Sequence, residues 1–330
     1  MKSSTMKAIV CTSYGSPDYL QLQDRPLPTP KDNEVLVEVH ACSVNFPDTL
    51  IIQGLYQFKP DLPFSPGSDI AGKVLAVGEN VKGFQPGDEV VAFASHGGFA
   101  EKTVVKANAC FPKPPAMGMV EAAAFLMAYG TSYHALADRA KLQQGESLLV
   151  LGAAGGVGLT AVELGKLMGA RVIAAASTAE KLAICQEYGA DEVINYSEED
   201  LKSKVKELTG GKGVDVIYDP VGGALAEPAL RTMAWQGRYL VVGFAAGDIP
   251  KIPLNLPLLK GCQIVGVFWG SFAQRFPGQN MQNTLQLIQW HQAKKIKPRI
   301  HATYPLSSAA QALKDIQNRR VKGKAVVVMI

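Results

Sequence analysis

Residues Ser147-Leu148-Leu149-Val150-Leu151-Gly152 make a short apolar run, and Ala153-Ala154-Gly155-Gly156-Val157-Gly158 follow it at once. Beyond them Leu159, Val162 and Leu167 mark a helix. A run that short and that apolar reads as a strand covered on both faces, which is the environment of a parallel sheet. Strand, glycine turn and helix start, in that order, aim backbone N–H groups and the positive helix end at one spot. A pyrophosphate suits that spot, with Ala154, Gly155, Gly156, Val157 and Gly158 as the residues to hold it. Ala153 stands where the fingerprint has its first glycine. The competing reading is a Gly/Ala-rich turn with no ligand; the strand before and the helix after argue against it.

The next strand, Arg171 to Ala176, bears on which dinucleotide binds. An NAD site closes this strand with a carboxylate that accepts from the ribose 2′-hydroxyl. Here the chain gives Ser177-Thr178 instead, with Lys181 four residues past Ser177. A hydroxyl and an ammonium suit a 2′-phosphate, which a carboxylate would repel. NADPH is therefore the expected cofactor. For Ser177 and Lys181 the competing reading is a solvated loop.

The 330 residues leave room for two domains. With 47% hydrophobic and 19% charged residues and 32 glycines, the chain reads as packed and rich in tight turns. A net charge of +4 is small for this length, and the lysines at 202, 204, 206, 294, 295 and 297 read as solvated helix faces. No nucleic-acid partner is expected. Cys11, Cys42, Cys110, Cys185 and Cys262 are scattered, so buried reduced thiols are expected rather than disulfides or a structural zinc. Met1 to Met6 is too short and polar for a signal peptide, and no apolar run reaches a membrane span. A cytoplasmic protein without membrane contact is expected.

Residues 7 to about 115 read as short strands broken by Pro and Gly, the clearest being Lys7–Cys11, Val35–Val39, Ile70–Val77 and Glu89–Phe93. That texture predicts a small, strongly bent β-barrel domain. Pro60 to Gly67 predicts an irregular loop, and Glu121 to Ala140 a helix. Six strands then alternate with helices: Leu148–Leu151, Val172–Ala176, Val193–Tyr196, Val214–Asp219, Tyr239–Val242 and Ile264–Val267. They predict a doubly wound sheet. Gly169 and Gly189 sit where helices should stop, and Ser197 where one should start. Ile300–Tyr304, a helix from Ser308 to about Asn318, and Lys324–Met329 complete a unit that this sheet does not need.

A bent β domain, a Rossmann domain and a tail folding back together resemble the medium-chain dehydrogenase/reductase superfamily. The stretches Val44-Asn45-Phe46-Pro47-Asp48, Gln53-Gly54-Leu55-Tyr56 and Pro66-Gly67-Ser68-Asp69-Ile70-Ala71-Gly72 sharpen the resemblance, together with Ala153 to Gly158. They are similar to its zinc-free quinone oxidoreductase branch. Gly243-Phe244-Ala245-Ala246-Gly247 and Phe268-Trp269-Gly270 are most similar to the quinone oxidoreductase-like protein 2 group. The resemblance implies an α/β fold with a discontinuous GroES-like domain over 1–125 and a Rossmann domain over 126–268. The segment 269–330 would return to the first domain from about residue 298. It also implies a homodimer pairing the strands Ile264–Val267.

Zinc members of the superfamily carry a Cys three residues before an Asp, and a His-Glu pair after the proline loop. Asn45 and Ser68-Asp69 stand there in this chain. Amide and hydroxyl are poor zinc ligands beside thiolate and imidazole, so no metal is expected. His40, His96, His134, His291 and His301 read as surface or hydrogen-bonded residues. Without a Lewis acid, alcohol oxidation is hard. Hydride delivery to a quinone or an α,β-unsaturated carbonyl asks only for positioning and for donors near an oxygen.

By resemblance Asn45 contacts the nicotinamide ribose or the substrate oxygen, Tyr56 donates to the developing enolate, and Thr131 lies near the nicotinamide. The competing readings are a turn cap, a packing aromatic and an intrahelical hydroxyl. Tyr196 would join Ser177 and Lys181 at the 2′-phosphate, and Gly243, Phe244, Phe268 and Trp269 would face the carboxamide from the strand ends. Relatives often carry a second Tyr where this chain has Leu50. An NADPH-dependent quinone or enone reductase is the expectation. The alternatives are an enoyl thioester reductase and an NADPH-binding structural or RNA-interacting protein.

Overall fold

The computed structural model describes residues 5–329 and gives an α/β protein. The first four residues of the Met1–Met6 stretch lie outside the described residues. Two compact units divide the chain. One runs up to Met127 and resumes at Pro298; the other is Ala128–Lys297.

The discontinuous unit contains strands β1 (Thr5–Cys11), β2 (Leu20–Pro26), β3 (Glu34–Val44), β4 (Asp69–Val77), β5 (Glu89–Phe93), β6 (Lys102–Lys106) and β7 (Cys110–Pro112). Along β3, Val35, Val37 and Val39 are buried while Leu36, Glu38 and His40 are less so, the two-residue period of a strand with one face on a core. β3 is long enough to be shared. Glu34–Glu38 pair with β6, and Ala41–Val44 with a strand from the far end of the chain. Register shifts at Leu36/Val37 and Val39/Ala41 bend it against β4. β1 and β2 form a separate antiparallel pair.

The second unit holds β8 (Ser147–Leu151), β9 (Arg171–Ala176), β10 (Glu192–Asn195), β11 (Val214–Asp219), β12 (Met233–Val241) and β13 (Gln263–Gly266). They pair in parallel in the order β10-β9-β8-β11-β12-β13. Leu148, Leu149, Val150 and Leu151 are fully buried at the centre of this sheet, as their unbroken apolar run requires. The order reverses direction beside β8, where an open parallel sheet binds ligands outside its C-terminal strand ends. The tail supplies β14 (Ile300–Pro305) and β15 (Lys324–Val328), and β15 closes against β3 in the first unit.

Three local expectations are corrected. Glu121 to Ala140 is not one helix: Met119–Ala123 and Leu126–Tyr133 are α-helical and His134–Arg139 widens to a π turn. Ser197 does not start a helix; Asp200 caps Leu201–Leu208 instead, its carboxylate accepting from the Ser203 N–H at 2.8 Å. Cys262 is only partly buried, unlike the other four cysteines. Gly169 and Gly189 do end helices, both in the left-handed conformation that glycine adopts without a Cβ penalty.

Candidate functional site

In the second unit the turn between β8 and the helix α1 (Gly156–Leu167) is shaped by its own carbonyls. Gly152 O accepts from Gly155 N at 3.0 Å, and a Cβ on Gly158 would lie 2.3 Å from that oxygen. Only glycine lets the helix start this close to the strand. The turn therefore has the form a pyrophosphate cradle needs: small residues, free approach and the first N–H groups of a twelve-residue helix.

Beneath the turn lies a knot of buried hydroxyls. Ser132 Oγ donates to Val157 O at 2.8 Å and lies 2.8 Å from Thr160 Oγ1 and 2.9 Å from the Tyr218 hydroxyl. Thr160 Oγ1 also donates to Val157 O at 3.0 Å. Burial pushes the Tyr218 phenol well above its ordinary range, so it stays a neutral donor. These three residues brace the first turn of α1 against β11, and sequence reasoning missed all of them. Asp219, at the end of β11, holds the next loop by accepting from Val221 N and Gly222 N, each at 2.8 Å, and from the Tyr239 hydroxyl.

At the end of β9, Thr178 caps the following helix by accepting from Lys181 N. The cap turns the lysine back, and Lys181 Nζ donates to Ser177 Oγ at 3.3 Å. The hydroxyl and ammonium expected to meet a 2′-phosphate are thus brought together. Tyr196 sits beside them through its backbone N–H, which donates to Ala176 O at 3.2 Å. Further along the sheet edge, Gly243 N reaches Asp219 O at 3.3 Å and Phe244 packs over Gly222. Phe268 lies just past β13 and is half exposed. The Trp269 ring goes the other way: it is buried, donates from its indole N–H to Asn280 Oδ1 at 3.1 Å and lies against Gly130. Thr131, partly buried, follows that glycine.

The first unit carries a charged counterpart. Asn45 precedes the helix Phe46–Ile51 as its cap residue, and its N–H donates to Asp48 Oδ2 at 2.7 Å. Its side-chain nitrogen Nδ2 reaches Ser43 Oγ at 3.1 Å, and Ser43 Oγ donates to Asp69 Oδ2 at 3.0 Å. Its Oδ1 accepts from the ammonium of Lys324, the first residue of β15. Asn45, Asp48, Asp69 and Lys324 are all buried. Burial raises Asp69 to about 7 and Asp48 to about 6, partly opposed by the Lys324 charge. Lys324 is itself lowered by burial. Tyr56, partly buried on the same core, is raised first by burial and then by the nearby Asp48 charge, so it too remains a neutral phenol. Sequence reasoning singled out Asn45 and Tyr56 but not Lys324, which reaches Asn45 across 279 positions of chain.

Comparison with known proteins fits this architecture. Residues 31–115 match the alcohol dehydrogenase GroES-like domain family and residues 156–290 the zinc-binding dehydrogenase family. A quinone oxidoreductase-like protein 2 homolog from Nematostella vectensis is 39% identical over 97% of this chain and 88% of its own length. The human quinone oxidoreductase is 35% identical, with 98% of each chain covered. The crystal structure of Escherichia coli quinone oxidoreductase complexed with NADPH superposes with a TM-score of 0.92 at 30% identity, covering 99% of this chain and all of that one. With a GroES-like unit, a Rossmann unit and full-length relatives of this similarity, the chain belongs to the quinone oxidoreductase branch of the medium-chain dehydrogenase/reductase superfamily and is an oxidoreductase.

Proposed function

We propose that this chain is a zinc-independent reductase that uses NADPH to transfer hydride to a quinone or an α,β-unsaturated carbonyl. The observation that carries the reading is the Lys324 ammonium on the Asn45 amide oxygen. In zinc relatives the position of Asn45 holds a metal ligand. Here the one oxygen that residue could offer a metal already accepts from a cation, and a second, divalent cation would be repelled. The remaining donors there, the Ser68 hydroxyl and the Asp69 carboxylate, are a weak set for zinc.

NADPH fits the second unit. Ala154 to Gly158 would hold the pyrophosphate; Ser177, Lys181 and Tyr196 the 2′-phosphate; Gly243, Phe244, Phe268 and the backbone of Trp269 the carboxamide end, with Thr131 near the nicotinamide. When bound, it supplies the hydride. The chain then has to stabilise negative charge that develops on the acceptor oxygen. Neutral donors suit that task, and Asn45 and Tyr56 are kept neutral or held in place by their surroundings. Two copies would join through β13, the sheet's outer strand. Ile264 on it and Leu254, Leu258 and Leu259 before it are exposed, which supports that pairing. Among the described residues no helix is long and apolar enough to cross a membrane.

The cofactor assignment is tested by Ser177→Asp combined with Lys181→Ala, read by nicotinamide fluorescence on titration with NADPH and NADH. The preference should move toward NADH by roughly 100-fold, the scale of losing a charge-assisted pair and adding a repulsive charge. Equal loss with both coenzymes would overturn it. The acceptor is tested by following NADPH oxidation with a quinone, a simple enal and crotonyl-CoA. Turnover confined to the thioester would replace the proposed substrate class.

A further inference from the structure

An amide side chain has one acceptor end and one donor end, and which way it points decides what it can offer a ligand. In Asn45 the pointing is set from far away in the sequence. Lys324 brings an ammonium, which only donates, to Oδ1. Turning the amide over would set its NH2 against that ammonium, donor to donor. Nδ2 is therefore held on the opposite side, toward Ser43, whose Oγ lies at 3.1 Å and whose carbonyl lies at 3.4 Å. Ser43 is fixed in turn by donating to Asp69 Oδ2. One N–H of Nδ2 is well used by Ser43 Oγ; the second has only the long carbonyl contact.

Such a lock is costly, and the cost points to a purpose. Lys324 is 4% exposed and shares its site with two buried carboxylates, Asp48 and Asp69. Burying an ammonium is costly even when it is paired. Asp69 Oδ1 is buried with no hydrogen-bond partner. Packing alone would be served better by apolar residues.

We propose that Lys324 is a positioning residue: its ammonium locks the Asn45 carboxamide so that Nδ2 is the donor edge offered to the acceptor oxygen during reduction. The inference rests on the reductase reading above, but the lock can be measured without turnover.

Lys324→Met removes the charge at nearly constant length. Because it leaves two carboxylates unopposed, Lys324→Met with Asp69→Asn is made alongside it; that pair lowers cation and carboxylate by one each and keeps the formal charge of the cluster. The first measurement is the Asn45 side-chain amide proton signals by NMR, assigned by their loss in Asn45→Asp. In the parent protein at pH 7 they should be protected from solvent exchange, and in the variants their shifts should move and their exchange should speed up by roughly tenfold or more. The second is steady-state kinetics with the best acceptor. Here kcat should fall by roughly 10- to 100-fold while KM for NADPH stays within about threefold, the pattern of a donor lost in the transition state only. Rapid exchange in the parent protein, or unchanged signals in a folded variant, overturns the lock. Parent-like kcat in a folded variant overturns its role in reduction. If the parent reduces none of the acceptors, the reductase reading fails, and the amide signals still decide whether Lys324 holds Asn45.

Discussion

The two units keep polar groups out of water by opposite means. Under the glycine turn of the second unit, Ser132, Thr160 and Tyr218 are neutral hydroxyls that satisfy one another and the Val157 carbonyl. Around Asn45 in the first unit the buried groups are an ammonium and two carboxylates, and one carboxylate oxygen has no partner. Hydroxyls can both donate and accept, so their knot adapts and simply braces a backbone. Charges cannot adapt in this way. They fix direction, they are expensive to bury, and they make their surroundings sensitive to pH. The contrast teaches that a glycine turn can be braced by neutral hydroxyls alone, whereas the Asn45 amide is held by a cation.

The largest expected effect falls on the backbone side of this contrast. Gly158→Ala would place a methyl group 2.3 Å from Gly152 O, so NADPH affinity should drop by about 100-fold, or ~2.7 kcal/mol. Fluorescence titration checks it, and parent-like affinity would show that the turn does not form the cradle. Next comes Ser132→Ala, which strands the Tyr218 hydroxyl and leaves the Val157 carbonyl with Thr160 as its one hydroxyl donor. It should lower unfolding free energy by about 1–3 kcal/mol in urea titrations, and a neutral result would mean the hydroxyl knot braces nothing.

Asp69→Asn probes the charged side. With a folded pKa of about 7 against an ordinary 3.8, the native protein keeps this proton where the unfolded chain has lost it. Stability should therefore fall as pH rises from about 4 to about 7, and the substitution should flatten that part of the curve. Melting temperatures across the range decide; an unchanged slope would remove Asp69 from the account. Smallest of all should be Lys7→Ala, which breaks an exposed pair with Asp24 at 2.8 Å and should cost less than about 1 kcal/mol. A larger loss there would mean that surface charge matters more in the first unit than its buried cluster suggests.

The same contrast explains what could be read from the amino-acid order. The doubly wound sheet was legible because fully covered parallel strands such as Leu148–Leu151 are unbroken apolar runs, and because backbone geometry demands glycine at the turn. Strands β2, β6 and β7 were not anticipated: Leu20–Pro26 is largely exposed and polar, and Cys110–Pro112 is only three residues long. The stretch from Glu121 to Ala140 carries helix-forming residues apart from Gly130, yet breaks after Ala123 and widens to a π turn at His134. That Ser177 and Lys181 meet was readable, because a helical cap brings residues four apart together. Ser132, Tyr218 and Lys324 were not, since each acts through partners separated by 25 to 279 positions. No local pattern encodes such a meeting.

β15 follows the whole second unit in the chain and pairs with β3 in the first. A chain leaving the ribosome therefore exposes Asn45 early and acquires the ammonium that steers it only after every Rossmann strand has been made. If the second unit can take up its cofactor before that closing strand docks, the cofactor meets an amide not yet aimed, and binding competence would precede chemical competence during synthesis.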